Sequence, residues 1–417
     1  MITINSINKK VSSEQLFMIS VLIVNGGNYL YNLLLGRILG PEHFADAAVL
    51  ITFLLILSFV AMTFQLVIAK FSILFRVKTF NRFMSSMYKI ALIIGVSLGV
   101  LIIISSSELQ ILFNTSSSSM FVVFGFGVPL YFFMSINRGV FQGKKEFTSL
   151  SITYQTEMLS RLLITLGLIL IFGIKFPVII AFGIIISFVF GMIPFKLKFF
   201  PLHKRFRIRE VYIKQIKSFF LLTAFYELTQ VVINNSDILL VKHYFESYDA
   251  GLYASLALIG RMVYFIAWMF VMLLLPKVIE LKKDGKRTSP VLFKYIGYIT
   301  FLSCVIISSC ALFPETIVHL LFGESYLEIS SLLWKYALAT SLFAISNIFA
   351  YYYLSLDKYI PVIISGVFGI LQVVLIIWFH ETLEQVVHMQ ILAMLILLVV
   401  QLLFFGSVLL PAKKALR

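Results

Sequence analysis

Apolar runs of about 18 to 25 residues recur from one end of this 417-residue chain to the other. A helix needs about 20 such residues to cross roughly 30 Å of hydrocarbon. About twelve runs qualify, beginning with Leu16–Leu39, Ala45–Ala69, Tyr88–Ser105, Met120–Val140, Leu150–Phe172 and Pro177–Phe195. After a basic connector come Phe219–His243, Gly251–Pro276, Leu292–Phe313, Ile329–Leu354, Ile360–Phe379 and Val386–Leu410. In hydrocarbon every backbone polar group must find a partner within the protein, so a chain of this pattern folds as a bundle of spanning helices or as a closed barrel. The period-2 alternation that a barrel requires is absent. The reading is therefore an all-α integral membrane protein. A mean hydropathy of +0.99 lies far outside the soluble globular range. The first span is too long for a signal-peptide core and lacks a small-residue cleavage site, which predicts a retained helix.

A net charge of +15 would suggest nucleic acid in a soluble protein. Its placement points elsewhere. Lys9 and Lys10, then Lys70, Arg76, Lys78 and Arg82, then Arg138, Lys144 and Lys145 are read into alternate loops. The series continues with Lys196–Lys217, Lys277–Arg287, Lys358 and Lys413–Arg417, while the intervening loops carry Glu108, Glu246, Asp249, Glu315, Glu324, Glu381 and Glu384. By the positive-inside rule both termini and the central loop are cytoplasmic. The expected location is the cytoplasmic (inner) membrane, multi-pass; membrane lipid, not nucleic acid, is the expected partner of the basic loops. Cys304 and Cys310 lie six residues apart on one predicted helix and are read as packing residues.

The chain repeats itself. "LLGRILGPEHFADAAVLI" (Leu34–Ile51) closes span 1 and opens span 2, and "LLVKHYFESYDAGLYASLAL" (Leu239–Leu258) does the same for spans 7 and 8. Ala69–Phe71 pairs with Pro276–Val278, Leu109–Asn114 with Val318–Gly323, and Asn137 with Asn347, at an offset near 205 to 210 residues. Six spans per half make these parallel repeats about an axis along the membrane normal, as in secondary transporters. The expected organisation is residues 1–198 as one six-helix lobe, 199–217 as a basic cytoplasmic connector and 218–417 as the second lobe, with N and C termini inside.

Span 7 carries a polar stripe. On a 3.6-residue period Thr223, Glu227, Gln230, Asn234 and Asp237 share one face, and Asn25, Asn28 and Asn32 of span 1 repeat the spacing. A carboxylate at the helix centre costs about 2.5 to 3.5 kcal/mol on insertion, whereas each Leu, Ile or Val returns only about 0.3 to 0.6. The stripe is expected to face protein or water. Interhelical hydrogen bonding would account for any single Asn. For the mirrored pair of stripes the expectation is a water-filled vestibule between the halves.

Two arginines share this depth, Arg161 in span 5 and Arg261 in span 8. Glu157 stands one turn before Arg161, so a self-neutralised pair is one reading. Arg261 has no local acid and calls for Asp237, Glu227 or an anionic ligand. A guanidinium grips phosphate through two parallel N–H bonds, which makes Arg161 and Arg261 candidates for a diphosphate headgroup. Tyr226, Tyr264 and Trp268 offer rings to sugars or prenyl groups, a weak signal in so aromatic a chain. Gly95 and Gly99 form a GxxxG, common in membrane helices. No GxxxxGK[ST] occurs, so no ATP-hydrolysing engine is expected. The six histidines lack ligand spacing, no metal site is expected, and the outward loops are too short for catalysis. The chain is expected not to be an enzyme.

"LLGRILGPEHFADAAVL", "INNSDILLVKHYFESYDAGLYASLALIGRM" and "LLFGESYLEISSLLW" together resemble the polysaccharide flippase family of the multidrug, oligosaccharidyl-lipid and polysaccharide (MOP) exporter superfamily. The resemblance implies a MATE-like V of two six-helix lobes and a lipid-linked oligosaccharide, on a polyprenyl diphosphate, turned to the outer leaflet for O-antigen, capsule or exopolysaccharide assembly. It also implies a cationic cavity and an ion gradient, with H⁺ or Na⁺ as coupling ion and no other cofactor. A polysaccharide polymerase and glycosyltransferases are the further partners it suggests. On that reading Arg161 and Arg261 bind the diphosphate, Asn25, Asn28, Asn32, Gln230 and Asn234 the sugars, and Glu227 or Asp237 the coupling ion. The acids sharing the cavity depart from a purely cationic site. The rivals are a cation-coupled multidrug exporter of the same superfamily and, from another class, a membrane glycosyltransferase or polymerase.

Overall fold

The computed structural model describes residues 13–173, 176–195, 210–264, 270, 274, 277–278, 281–282, 284–356 and 358–414. They are helical almost throughout, and ten of the helices are long and apolar enough to cross a membrane. In chain order the described helices, short ones included, begin with α1 (Ser13–Leu39), α2 (Pro41–Leu74), α3 (Val77–Ile104), α4 (Ser106–Leu112), α5 (Ser119–Gly143), α6 (Phe147–Phe172) and α7 (Pro177–Phe190). There follow α8 (Glu210–Tyr244), α9 (Ser247–Gly260), α10 (Ser289–Leu312), α11 (Pro314–Leu321), a 3₁₀ segment (Glu324–Leu332), α12 (Leu333–Ser355), α13 (Ile360–Trp378) and α14 (Leu383–Lys414).

Local chemistry sets the ends. Gly40 at φ 77° takes the left-handed conformation that stops α1. Pro41, which lacks the N–H that a first helical residue cannot use anyway, starts α2. Gly173 closes α6 in the same left-handed way.

Residues 210–217, read above as connector, are the first two turns of α8, a helix of 35 residues and so about 52 Å long. The rest of that connector, residues 199–209, and Trp268 lie outside the described residues. Two further expectations shift. α7 ends at Phe190 rather than Phe195, with Gly191 as its C-cap, and the eighth span is not one helix from Gly251. It stops at Gly260, turns at Arg261 and resumes helical geometry at Met262.

The chain divides into two compact units. Lobe 1 comprises Met1–Leu35 with Asp46–Leu228, and lobe 2 comprises Gly36–Ala45 with Thr229–Arg417. In lobe 1, α3 lies along α5 at backbone contact distance. A methyl on Gly95 would come within 3.1 Å of the Pro129 Cα, and one on Gly99 would press on the Gly125 carbonyl oxygen. Around this seam Phe64, Phe83, Phe121, Phe124 and Phe132 are completely buried. Asp46 near the start of α2 accepts from the Ser116 amide at 3.0 Å and its hydroxyl at 2.6 Å, which fixes the turn before α5.

Lobe 2 packs α12 between α10 and α14, with Phe349, Tyr352, Tyr353 and Phe405 in one aromatic core. The Gly36–Ala45 turn is seated in it. Tyr326 donates to the Gly36 carbonyl at 2.7 Å, Arg37 donates to the Leu320 carbonyl at 3.0 Å, and Gly251 of α9 lies directly against the Pro41 backbone. A Cβ at position 251 would overlap main-chain atoms that cannot rotate away. Gly251→Ala is therefore expected to destabilise the protein by about 1 to 3 kcal/mol, the usual cost of overpacking, measured as a lowered melting temperature in detergent. Cys310 is buried as a packing residue, whereas Cys304 is exposed on α10 and does not pack.

Candidate functional site

The deepest charges of lobe 1 form a triad, not a pair. Glu157 of α6 accepts from Arg161 Nη2 at 3.0 Å through Oε1 and from Arg138 Nη2 at 2.7 Å through Oε2. Arg138, assigned above to a cytoplasmic loop, is inside α5 and 4% exposed. The loop assignment rested on charge alone. Burial is possible because this guanidinium is partnered by more than Glu157: Nε donates to Thr153 Oγ1 at 3.1 Å, Nη2 to the Thr153 carbonyl at 2.9 Å, and Cζ lies 4.0 Å from the Tyr154 ring centre. Tyr154 is in turn held by Gln65 Nε2 at 2.9 Å, which also donates to Gln142 Oε1 at 2.9 Å.

Arg161 differs from Arg138. It lies 14 residues into α6, about 21 Å along the axis and so near the middle of the span. Its Nη2 also donates to Asn28 Oδ1 at 3.1 Å, and its Nε–H is buried without an acceptor. Asn32 donates to the Asn28 backbone carbonyl one turn back in its own helix at 3.0 Å, so of the α1 stripe it is Asn28 that α1 brings to Arg161. Asn25 it does not, because that side chain is exposed and takes no part in the cluster. Two guanidiniums facing one carboxylate leave the cluster with one excess positive charge. Glu157→Gln would leave both cations unneutralised in a low-dielectric site. We expect a loss of about 3 to 5 kcal/mol, read as a fall in thermal stability.

Lobe 2 builds a different arrangement. Asp237 Oδ1 accepts from Arg261 Nη2 at 3.0 Å, and Oδ2 accepts from Tyr336 at 2.7 Å and Tyr253 at 3.1 Å. Tyr253 also accepts from Gln390 at 2.7 Å, and Arg261 Nη1 donates to Asn235 Oδ1 at 3.1 Å. Asp237 is thus the partner that Arg261 required, and it is 1% exposed.

The break in the eighth span sits here. Arg261 follows the carbonyl end of α9, where the helix dipole favours a cation, and Thr340 donates its hydroxyl to the Gly260 carbonyl at 2.8 Å. Asn234, Arg261, Tyr336, Thr340, Gln372 and Gln390 surround a recess of about 20 Å³, room for about one water molecule and not for a sugar. Gln230 accepts from Tyr264 at 3.0 Å through its side chain and from Asn234 at 2.8 Å through its carbonyl. Tyr264 stacks on Phe343 at 5.4 Å and so serves packing. Glu227, on the part of α8 grouped with lobe 1, is half-buried and has no hydrogen bond or ion pair among the described residues.

Arg138, Asn235, Tyr253, Tyr336 and Gln390 were not singled out in the sequence. The signal for Arg138, Asn235 and Gln390 was available, since a polar residue within an apolar run carries the same insertion cost as the ones chosen. For Tyr253 and Tyr336 none was, because tyrosine is abundant in this chain.

Ten helices long and apolar enough to span a bilayer, with charged and polar clusters buried among them, define a multi-pass membrane protein. The polysaccharide biosynthesis protein family matches residues 34–331, well over half of the chain, and the chain belongs to that family. Among solved structures, an inward-facing multidrug resistance transporter of the MATE family and MOP superfamily superposes with a TM-score of 0.76 at 12% identity, covering 91% of this chain and 94% of that one. The lipid II flippase MurJ, in an inward closed conformation, gives 0.73 at 16% identity over 94% and 87% of the two chains. A MOP transporter from Pyrococcus furiosus, described as having a binding pocket of reversed polarity, gives 0.59 at 13% identity over 93% and 94%. These likenesses establish the MOP fold of two six-helix lobes. No curated protein sequence matches the chain.

Proposed function

We propose that this protein is a flippase that turns a polyprenyl-diphosphate-linked oligosaccharide from the cytoplasmic to the outer leaflet of the cytoplasmic membrane for surface polysaccharide synthesis. The observation that carries the reading is the Arg138–Glu157–Arg161 cluster. It has more cation than anion, reaches mid-span through Arg161 in a polysaccharide biosynthesis family member, and holds one buried guanidinium N–H with no acceptor. Arg161 is the diphosphate ligand and Arg138 neutralises Glu157 behind it. Arg261, whose Nε–H is also buried without an acceptor, is the second candidate ligand. Asn28, Asn32, Gln230 and Asn234 donate to or accept from sugar hydroxyls, and Asn25, at the exposed end of its stripe, meets the glycan on entry.

For coupling, Glu227 is the better placed of the two acids. Asp237 already engages both carboxylate oxygens, whereas Glu227 has its full coordination available for H⁺ or Na⁺. An ion drives a conformational change only through unequal affinity for the two states. Glu227→Gln is expected to leave passive equilibration of lipid-linked oligosaccharide intact and to abolish its dependence on an imposed H⁺ or Na⁺ gradient.

The test is reconstitution. Purified protein in liposomes should expose the inner-leaflet pool of a polyprenyl-diphosphate oligosaccharide to an external glycan-cleaving probe, and protein-free liposomes should yield the outer-leaflet pool alone. The likeness to a multidrug resistance transporter supports a second reading, cation-coupled drug export. Gradient-driven extrusion of organic cations with no movement of the lipid-linked glycan would select it. Sugar incorporation by the purified protein would instead make it a glycosyltransferase or polymerase.

A further inference from the structure

One recess belongs to neither charged cluster. Phe270, Tyr298, Phe301 and Leu302 of lobe 2 line an almost wholly apolar hollow of about 320 Å³ on the outer face of α10, where Phe301 is 72% exposed. Its wall is a braced set of rings, Phe270 to Tyr295 at 6.1 Å, Phe270 to Tyr298 at 5.9 Å and Tyr295 to Tyr298 at 6.2 Å.

The sequence leading into the recess is ordered by depth. Lys294, Gly297, Tyr298 and Phe301 stand at i, i+3, i+4 and i+7, on one face of the helix. Glycine inside a helix costs about 1 kcal/mol relative to alanine. No packing among the described residues asks for Gly297, because a Cβ built there meets nothing within 4 Å. What the glycine does is leave a groove along the backbone beside the Tyr298 ring.

The mouth of the groove is basic. Lys294 lies five residues into α10, about 7.5 Å below its start, and is exposed, with its ammonium 5.7 Å from the Tyr298 ring centre. A lysine at that depth extends its stem upward to bring its charge to headgroup level. Arg287, also exposed, immediately precedes the α10 N-terminus, whose first turn holds no acid and whose N-cap Thr288 makes no capping bond. Among the described residues neither Lys294 nor Arg287 has a carboxylate partner, whereas neighbouring Lys286 is paired with Asp284 at 3.2 Å. This end of α10 is cytoplasmic by the charge pattern.

We propose that this face binds an anionic phospholipid of the cytoplasmic leaflet, with its phosphate between Lys294 and Arg287 and one acyl chain laid past Gly297 into the Phe270–Tyr298–Phe301–Leu302 hollow. The site lies on an exposed face of α10 and shares no lining residue with the Asp237–Arg261 cluster of the same lobe.

The test uses the full-length protein in liposomes with photoactivatable diazirine-acyl phosphatidylglycerol, phosphatidylethanolamine or polyprenyl phosphate, the labelled peptide being read by mass spectrometry. Phosphatidylglycerol is expected to label residues 297–302 on the order of tenfold more than phosphatidylethanolamine, given two basic residues at the surface. Lys294→Gln with Arg287→Gln removes that preference. Gly297→Leu, a change into open space on an exposed face, reduces labelling by both lipids at unchanged melting temperature. Should Gly297→Leu fail to fold, the exposed Lys294→Gln and Arg287→Gln changes decide alone. Equal labelling by phosphatidylglycerol and phosphatidylethanolamine, or a preference that survives the loss of both basic residues, would overturn the proposal. So would stronger labelling by polyprenyl phosphate than by phosphatidylglycerol, which would assign the hollow to the transported lipid.

Discussion

Arg161→Ala is expected to abolish translocation of the lipid-linked oligosaccharide in liposomes while leaving the protein folded. The two halves of that expectation have separate grounds. Loss of a charge-assisted contact to a desolvated anion costs about 2 to 5 kcal/mol, at least a tenfold fall in headgroup affinity and up to several thousandfold. Stability is spared because removing Arg161 converts an unbalanced triad into the one-to-one pair of Arg138 and Glu157, which keeps its 2.7 Å contact. Arg161→Lys retains the charge but cannot present two parallel N–H groups, so partial activity is expected. The measurement is initial flipping rate against melting temperature for the three proteins. Unchanged flipping in Arg161→Ala would remove Arg161 from the headgroup site. A melting temperature as low as that of Glu157→Gln would make it a structural residue.

The second large effect lies in lobe 2. Asp237→Ala strips a buried guanidinium of its counter-ion and leaves Tyr253 and Tyr336 without their shared acceptor. A loss of about 3 to 5 kcal/mol follows from breaking a buried pair on one side only. Replacing both charges, as in Asp237→Leu with Arg261→Met, should recover the part of that loss due to the unpaired guanidinium, but not the part due to Tyr253 and Tyr336, whose hydroxyls stay without an acceptor. The doubly substituted protein is expected to melt between Asp237→Ala and the native protein and to flip poorly, because Arg261 is the second proposed ligand of the diphosphate. Full activity in it would confine Arg261 to a structural role. An unaltered melting temperature in Asp237→Ala would show that the pair does not hold the break at Gly260.

How far the sequence foretold this molecule depends on the kind of force involved. Hydrocarbon imposes length and apolarity on every span, so the helices of both lobes were legible from composition alone. That Arg261 needs an anion from outside its own helix was legible too, but the choice among Asp237, Glu227 and a ligand was made by the fold, which seats Asp237 against it. Arg138 was misplaced because the positive-inside rule counts bases near span ends, and a base near a span end can as well turn inward onto Glu157. The break at Arg261 was illegible for a related reason. No proline marks it, and Gly260 is one of many glycines; what sustains it is Thr340 and Asp237 reaching across from α12 and α8. Asn25 was grouped with Asn28 by spacing, and spacing alone could not say which of the two would meet Arg161.

The glycine pair of α3 carries a consequence for self-association. Gly95 and Gly99 face Pro129 and Gly125 of the same lobe, and the apolar side chains that α3 turns outward include Ile93, Val96, Val100, Leu101 and Ile104. A motif often associated with dimers is already occupied within one protomer. Any homodimer in the bilayer must join through a different surface, and large residues engineered at 95 or 99 would report on how the monomer is built rather than on its stoichiometry.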